Sequence, residues 1–244
     1  MAKSISKFET GNAKNIANLN VLIQQIQALG EIYKPTNPKI LIENLQNTYT
    51  KASEEQDAVN QLLAPYSNAV NEREAIFTPF NKFLTKLRKV YKSTENVADA
   101  EMENFMTIIR KLKGYKKDTS EPSTNSEEEQ KQHSTSQLSY DLRTDNLELL
   151  ISLLENTPNY NPNEEEYKIA TLKKLKEDMK TATNKVNQTY IPLNNARNQR
   201  NQTLYNAEDN LVDTSYKAKD YLLAILDSKS AQYKAISKIK FNKK

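Results

Sequence analysis

The chain has 244 residues, a formal net charge of +4 at pH 7, three glycines, no tryptophan and no cysteine. So few glycines leave few positions for a positive φ, which disfavours hairpin-rich β folds. The lack of cysteine excludes disulfide and thiolate chemistry, and so small a net charge does not by itself announce a nucleic-acid binder.

Lys, Glu, Gln, Leu and Ala fill long uninterrupted segments, and this composition predicts an all-α fold. Asn is also abundant, at 28 residues, although it is a mediocre helix former. The segment Met1–Phe8 has no apolar core of the kind a secretory signal carries. No apolar run approaches the ~18 residues of a membrane span. The expectation is a cytoplasmic protein; a processed mature form, or one exported by a non-classical route, would read the same.

Residues 1–13 are polar and mixed and read as a flexible arm. From there Ile16, Leu19, Ile23, Ile26 and Leu29 recur at helical spacing and predict helix A, with Gly30 as its stop. Thr36 or Asn37 can cap the next helix, and Pro38 suits its first position.

Helix B is then expected from about 38 to 92. Its seam runs Ile42, Leu45, Tyr49, Ala52, Gln56, Val59, Leu63, Tyr66, Val70, Arg73, Phe77, Phe80, Leu84, Leu87, Tyr91, with steps of 3 and 4 throughout. This is a heptad pattern with polar exceptions at Gln56 and Arg73. The phase does not slip at Pro65, so the helix is expected to continue through a kink, roughly 80 Å in all. Such a helix needs antiparallel neighbours or a partner to cover its seam.

Ser93–Asn96 breaks the pattern, and helix C carries Met102, Phe105, Met106, Ile109 and Leu112 up to Gly114. Residues 118–137 are rich in Ser, Thr, Glu and Gln and read as a disordered linker, with His133, the one histidine, solvated in it.

The rest of the chain repeats this plan. Residues 186–200 match 59–73 at an offset of 127, with eight of fifteen positions identical. Asn146–Ile151 follows the pattern of Asn18–Ile23 at an offset of 128. The reading is a tandem duplication of helix A, a long Pro-kinked helix B and helix C, forming an elongated antiparallel bundle or coiled coil. Its repeats would span 14–117 and 138–244. Asn161 or Asn163 should cap the second long helix, with Glu164, Glu165 and Glu166 in its first turn. Its seam is Ile169, Leu172, Met179, Val186, Tyr190, Leu193, Leu204, Ala207, Leu211 and Ala218. No strong signal separates it from the last helix, which carries Leu222 to Phe241.

The matched positions are the candidate site. Pro65 and Pro192 each remove a backbone donor and crowd the carbonyl four residues back, which belongs to Gln61 and Gln188. Asn68, Asn71 and Arg73 pair with Asn195, Asn198 and Arg200. Placed on a seam, such polar residues fix register at a cost in stability, so Arg73→Leu and Arg200→Leu are expected to raise stability. A second, weaker candidate is a pair of lysine runs for an anionic surface. One holds Lys111, Lys113, Lys116 and Lys117, and the other Lys238, Lys240, Lys243 and Lys244. Dipole compensation together with a solubilising tail is the simpler account of them.

Catalytic and metal patterns are missing: there is no Cys–His pair, no Glu-x-x-His and no glycine-rich phosphate loop. The expectation is a non-enzymatic structural or interaction protein, without cofactor, metal or small-molecule substrate. It would pair its heptad seams with itself or with a protein partner. The alternatives are a membrane-acting protein, such as a component of a helical pore-forming toxin, and a nucleic-acid-associated scaffold.

Overall fold

The computed structural model describes residues 7–114 and 139–243. The linker reading of 118–137, His133, Lys116, Lys117 and Lys244 all lie outside the described residues. Within them the chain is all-α, with eight α-helices. These are α1 (Lys7–Leu29), α2 (Ile42–Phe77), α3 (Phe80–Lys92), α4 (Asp99–Lys113), α5 (Tyr140–Glu155), α6 (Ile169–Asn201), α7 (Leu211–Ile225) and α8 (Ala231–Ser237). None is long and apolar enough to cross a membrane.

Several boundaries follow the local chemistry. Gly114 closes α4 in the left-handed conformation at φ 75°, where it accepts no Cβ penalty, and its N–H reaches back to Arg110 and Lys111. Asn37 caps the 3-10 turn Pro38–Ile40 by accepting from the Lys39 N–H.

Other boundaries differ from the sequence reading. The expected arm is already helical from Lys7, and Asn12 is 5% exposed. Helix B is not continuous. It stops at Phe77 and restarts at Phe80, because Pro79 brings no N–H and disfavours a helical Thr78. Pro79 itself stays helical at φ −73°, ψ −12°, so the apolar phase crosses the break without a slip. On the C-terminal side, neither Asn161 nor Asn163 caps α6. Glu164 stands at the start of a 3-10 turn, Glu165–Tyr167, and α6 begins at Ile169. The open boundary after α6 is a π-turn, Gln202–Asn206, followed by Asn210, whose side chain caps α7 at the Asp213 N–H.

The helices gather into two compact units that do not coincide with 14–117 and 138–244. Unit I takes the described residues up to Pro65 together with those from Tyr190 onward, and unit II is Tyr66–Thr189. Helix α1 packs on α7 and α8 in unit I, and α5 packs on α4 in unit II. Each unit therefore joins pieces from both halves of the sequence.

The core of unit I contains Leu19, Leu22, Ile26, Leu45, Ala52, Leu204, Leu211 and Leu222. That of unit II contains Phe80, Leu84, Tyr91, Phe105, Leu147, Leu172 and Met179. The seam of helix B is buried or half-buried at every position expected. In α6 the exception is Tyr190, which is 45% exposed.

One hydrogen bond recurs in each unit at the same offset of 127, buried in unit I and part-buried in unit II. The Tyr33 hydroxyl donates to the Ile40 carbonyl at 2.6 Å, and the Tyr160 hydroxyl donates to the Tyr167 carbonyl at 2.8 Å. Each ties the loop before a long helix to the 3-10 turn that starts it. Burial, with a neighbouring tyrosine second, pushes both phenols well above their ordinary range. Tyr33→Phe and Tyr160→Phe each leave a carbonyl without its donor. Each is expected to lower unfolding free energy by about 1–3 kcal/mol, read as the shift in a urea midpoint.

Candidate functional site

The residues matched between the two halves fall into two environments. Gln61, Pro65, Asn68 and Asn71 on α2 are all exposed, and so are Gln188, Pro192, Asn195 and Asn198 on α6. Their exposure explains how both helices pass through proline. A proline in a helix interior costs about 3 kcal/mol. On a solvated face water can bond the carbonyl that has lost its donor, which removes part of that cost.

The two arginines are drawn inward, each within its own unit. Arg200 is 3% exposed, and its guanidinium donates to Gln56 Oε1 at 3.4 Å and to Asn201 Oδ1 at 3.0 Å. Gln56, the other polar residue of the seam, donates in turn to Asn60 Oδ1 at 3.0 Å. In unit II, Arg73 is half-buried and lies over the Tyr140 ring, 3.7 Å from its centroid. The Asn pairs therefore take no part in a buried polar layer, and the two arginines make separate arrangements.

The lysine runs are partly internal. Lys113 donates to Thr85 Oγ1 at 2.7 Å, and burial, helped by the Arg88 charge, lowers its pKa. Lys111, Lys238, Lys240 and Lys243 are exposed. A denser positive surface lies on α3, where Lys82, Lys86, Arg88, Lys89 and Lys92 are all exposed and no acidic residue interrupts them.

Two concave features occur in unit II. A groove of about 280 Å³ between α5 and α6 sets Asp141, Asp145 and Glu148 against Lys176, Lys180 and Thr183. Lys176 and Glu148 close across it at 2.6 Å, and that hydrogen bond raises the lysine pKa. The groove is thus a largely self-neutralised polar cleft. A shallower hollow of about 490 Å³ sits at the α2–α3 break, beside Asn71, Thr78, Pro79 and Lys82. No group of three or more His, Cys, Asp or Glu side chains among the described residues could hold a metal ion.

The most fully specified site lies in unit I and was not foreseen from the sequence. After α8 the chain leaves helical geometry, and residues 239–242 alternate: Ile239 and Phe241 are buried, while Lys240 and Asn242 are exposed. Side chains of α1 and α7 take the backbone of this segment one carbonyl after another. Lys219 Nζ donates to the Ser237 carbonyl at 2.9 Å and the Ile239 carbonyl at 2.6 Å. Asn18 Nδ2 donates to the Lys240 carbonyl at 2.6 Å, and the Tyr216 hydroxyl donates to the Phe241 carbonyl at 2.6 Å.

Asn15, 0% exposed, binds both sides of Asn242: its Nδ2 donates to the carbonyl at 2.9 Å, and its Oδ1 accepts from the N–H at 2.8 Å. Tyr205 fixes that amide from behind, accepting from Asn15 at 3.2 Å and donating to Asn12 Oδ1 at 2.6 Å. Phe241 meets the Tyr216 ring edge-on at 5.7 Å, and Lys243 reaches Asp213 at 3.5 Å. A hydrogen bond from Asn210, and secondarily the Lys243 charge, holds the Asp213 carboxyl below its ordinary range. Burial lowers the Lys219 pKa. The sequence carried one signal for this groove, the spacing Asn12, Asn15, Asn18 beside the apolar stripe of α1.

The chain matches no known protein-family model, no curated protein and no solved structure.

The partners of Arg200 reverse the expectation for its replacement. Arg200→Leu leaves Gln56 Oε1 buried without its donor and is expected to cost about 1–3 kcal/mol. Arg73→Leu loses a contact over a half-buried ring and should cost about 0.5–1 kcal/mol. Denaturant titration of the two variants side by side tests the order.

Proposed function

We propose that the chain is a non-enzymatic scaffold or assembly protein that offers the solvent faces of its two long helices to other chains, its own copies included. One observation carries this reading. Of the eight identities shared by 59–73 and 186–200, five fall where both residues are exposed: Asn60 with Asn187, Gln61 with Gln188, Pro65 with Pro192, Asn68 with Asn195 and Asn71 with Asn198. Packing of the chain's own core demands nothing particular at a solvated position. Identity that persists there twice is what a repeated contact surface requires. Tyr190 and Ile191, 45% and 59% exposed beside Pro192, add exposed apolar area to this part of α6.

The underlying architecture is, in our reading, a tandem duplication whose long helices pair by heptad seams. Helices α2 and α6 begin at Ile42 and Ile169, and the break at Thr78–Pro79 matches Tyr205–Asn206, the last two residues of the π-turn Gln202–Asn206. The Tyr33 and Tyr160 bonds share that offset.

A second reading is contact with an anionic surface, either nucleic acid or lipid headgroups. It is favoured by α3, whose five exposed cations stand within 13 residues without an acid.

The lead reading is tested by light scattering over a concentration series. Gln61→Lys, Asn68→Lys, Gln188→Lys and Asn195→Lys together should leave helical content and melting temperature near the wild type, because each site is solvated. Self-association should weaken at least ~10-fold, since each cation now faces a like charge or an unpaired amide. Association that survives all four changes, or a wild-type chain of single mass up to ~1 mM, would overturn self-assembly through these faces. Retention of the wild type on DNA or on anionic vesicles at ~50 mM salt, lost with Lys82, Lys86 and Lys89 changed to Glu, would select the second reading.

A further inference from the structure

The way residues 237–243 are held in unit I differs from ordinary packing of an irregular segment. Such a segment usually satisfies its backbone with water or with another stretch of backbone. Here the carbonyls of Ser237, Ile239, Lys240, Phe241 and Asn242 are all taken by side chains of α1 and α7. The fully buried Asn15 uses both ends of its amide on the N–H and the C=O of one residue. An amide that reads both backbone groups of a residue recognises an extended chain whatever side chain that residue bears. Selectivity comes from elsewhere: buried positions for Ile239 and Phe241, and Asp213 with the Tyr216 ring for the Lys243 ammonium.

The Asn15 amide is also held by contacts outside the segment. Helices α1 and α7 pack directly on each other, and Tyr205 with Asn12 positions the Asn15 amide independently of the bound backbone. The amide that reads both backbone groups of Asn242 is thus preorganised, as a binding site requires.

We infer that this groove is a recognition site for an extended apolar-x-aromatic-x-lysine segment, and that it accepts residues 238–243 of a second copy as well as its own. The occupant is argued from the structure itself: the only chemistry shown to satisfy every anchor is that of this chain. A second copy presenting the same residues makes the same contacts, so reciprocal exchange leaves no groove empty. The segment's own copy has the advantage of effective concentration, of millimolar order for a short connection. Exchange therefore grows with protein concentration. The required N–H on the fourth residue excludes proline there, and this separates specific recognition from mere hydrophobic burial. The inference rests on the assembly reading for its choice of partner, but it uses none of the α2 and α6 surface positions that test that reading.

The experiment uses the full chain in two single variants. Phe241→Ala keeps the groove but weakens the segment; Asn15→Ala keeps the segment but disables the groove. Circular dichroism first establishes that both retain wild-type helical content. A fluorescent peptide of residues 238–243 should bind the Phe241→Ala chain saturably. It should bind the wild type at least tenfold more weakly, because the resident segment competes, and the Asn15→Ala chain more weakly still. A peptide with proline at the Asn242 position should lose at least tenfold in affinity for the Phe241→Ala chain.

In light scattering, each variant alone should associate less than the wild type, and an equimolar mixture should recover a mixed dimer, with one intact segment in one intact groove. No saturable binding by a folded Phe241→Ala chain, equal binding of the proline peptide, or a mixture no more associated than its parts would each overturn the inference. If Asn15→Ala does not fold, Asn18→Ala replaces it with the same expected loss. The four-lysine variant of α2 and α6 should bind the peptide like the wild type, so a failure of the helix-face reading leaves this result standing.

Discussion

Everything in this fold follows from the length of two helices. Helix α2 has 36 residues and α6 has 33, so α2 is about 54 Å long at 1.5 Å per residue. No single core built from the remaining short helices can cover an apolar seam of that length. The chain resolves this by dividing the seam. Leu45 and Ala52 of α2 enter the core of unit I, while Phe77 at its far end enters that of unit II. Helix α6 does the same with the order reversed, giving Leu172 and Met179 to unit II and its following turn, with Leu204, to unit I. Once the seams are divided, the short helices must go where apolar area is uncovered, and α1 meets α7 and α8 while α5 meets α4.

The same division explains where proline is tolerated. Burial along α2 is complete at Leu45, Ala52, Val59 and Ala69, and nearly so at Phe77; at Leu62, Leu63, Tyr66 and Val70 it is only partial. Pro65 stands in this half-buried stretch with its ring exposed. The lost hydrogen bond is therefore suffered on an exposed stretch, Gln61, Ala64 and Pro65, where water can reach the freed carbonyl. Pro79 behaves differently. It has Phe77 and Phe80 buried on either side, and the helix breaks rather than bends.

The ends of the two halves of the chain differ in structure. In unit II, α4 continues to Lys113 and closes on a left-handed Gly114. At the matched place in unit I, α8 has already ended at Ser237, and the chain runs on as an alternating segment. The helix opposite differs to suit. Helix α1 offers Asn15 and Asn18, which bond a backbone. At the corresponding offset of 128, α5 keeps an asparagine opposite Asn18, the buried Asn146, but replaces Asn15 with Arg143, which donates to Asn81 Oδ1 at 2.8 Å and lies over the Phe80 ring at 5.1 Å. A backbone-reading groove thus exists in one unit and has no equivalent among the described residues of the other.

Much of this was legible in the sequence. The all-α class, the seam from Ile42 to Tyr91, the stops at Gly30 and Gly114, and the passage through Pro65 are local consequences of propensity and periodicity, and neighbouring residues suffice to set them. The identity of the candidate positions was also legible, but their exposure was not. Arg73 and Arg200 share a seam position by spacing, yet one rests on Tyr140 and the other bonds Gln56, partners far away along the chain. The interruption at Pro79 escaped the heptad count because a helical proline preserves phase. What only the tertiary structure decided was pairing: which half of each long helix lies in which core, and which backbone the amide of Asn15 meets. Periodicity says that a face must be covered; it carries no information about which of several apolar faces will cover it, because burial is non-directional and rewards area alone.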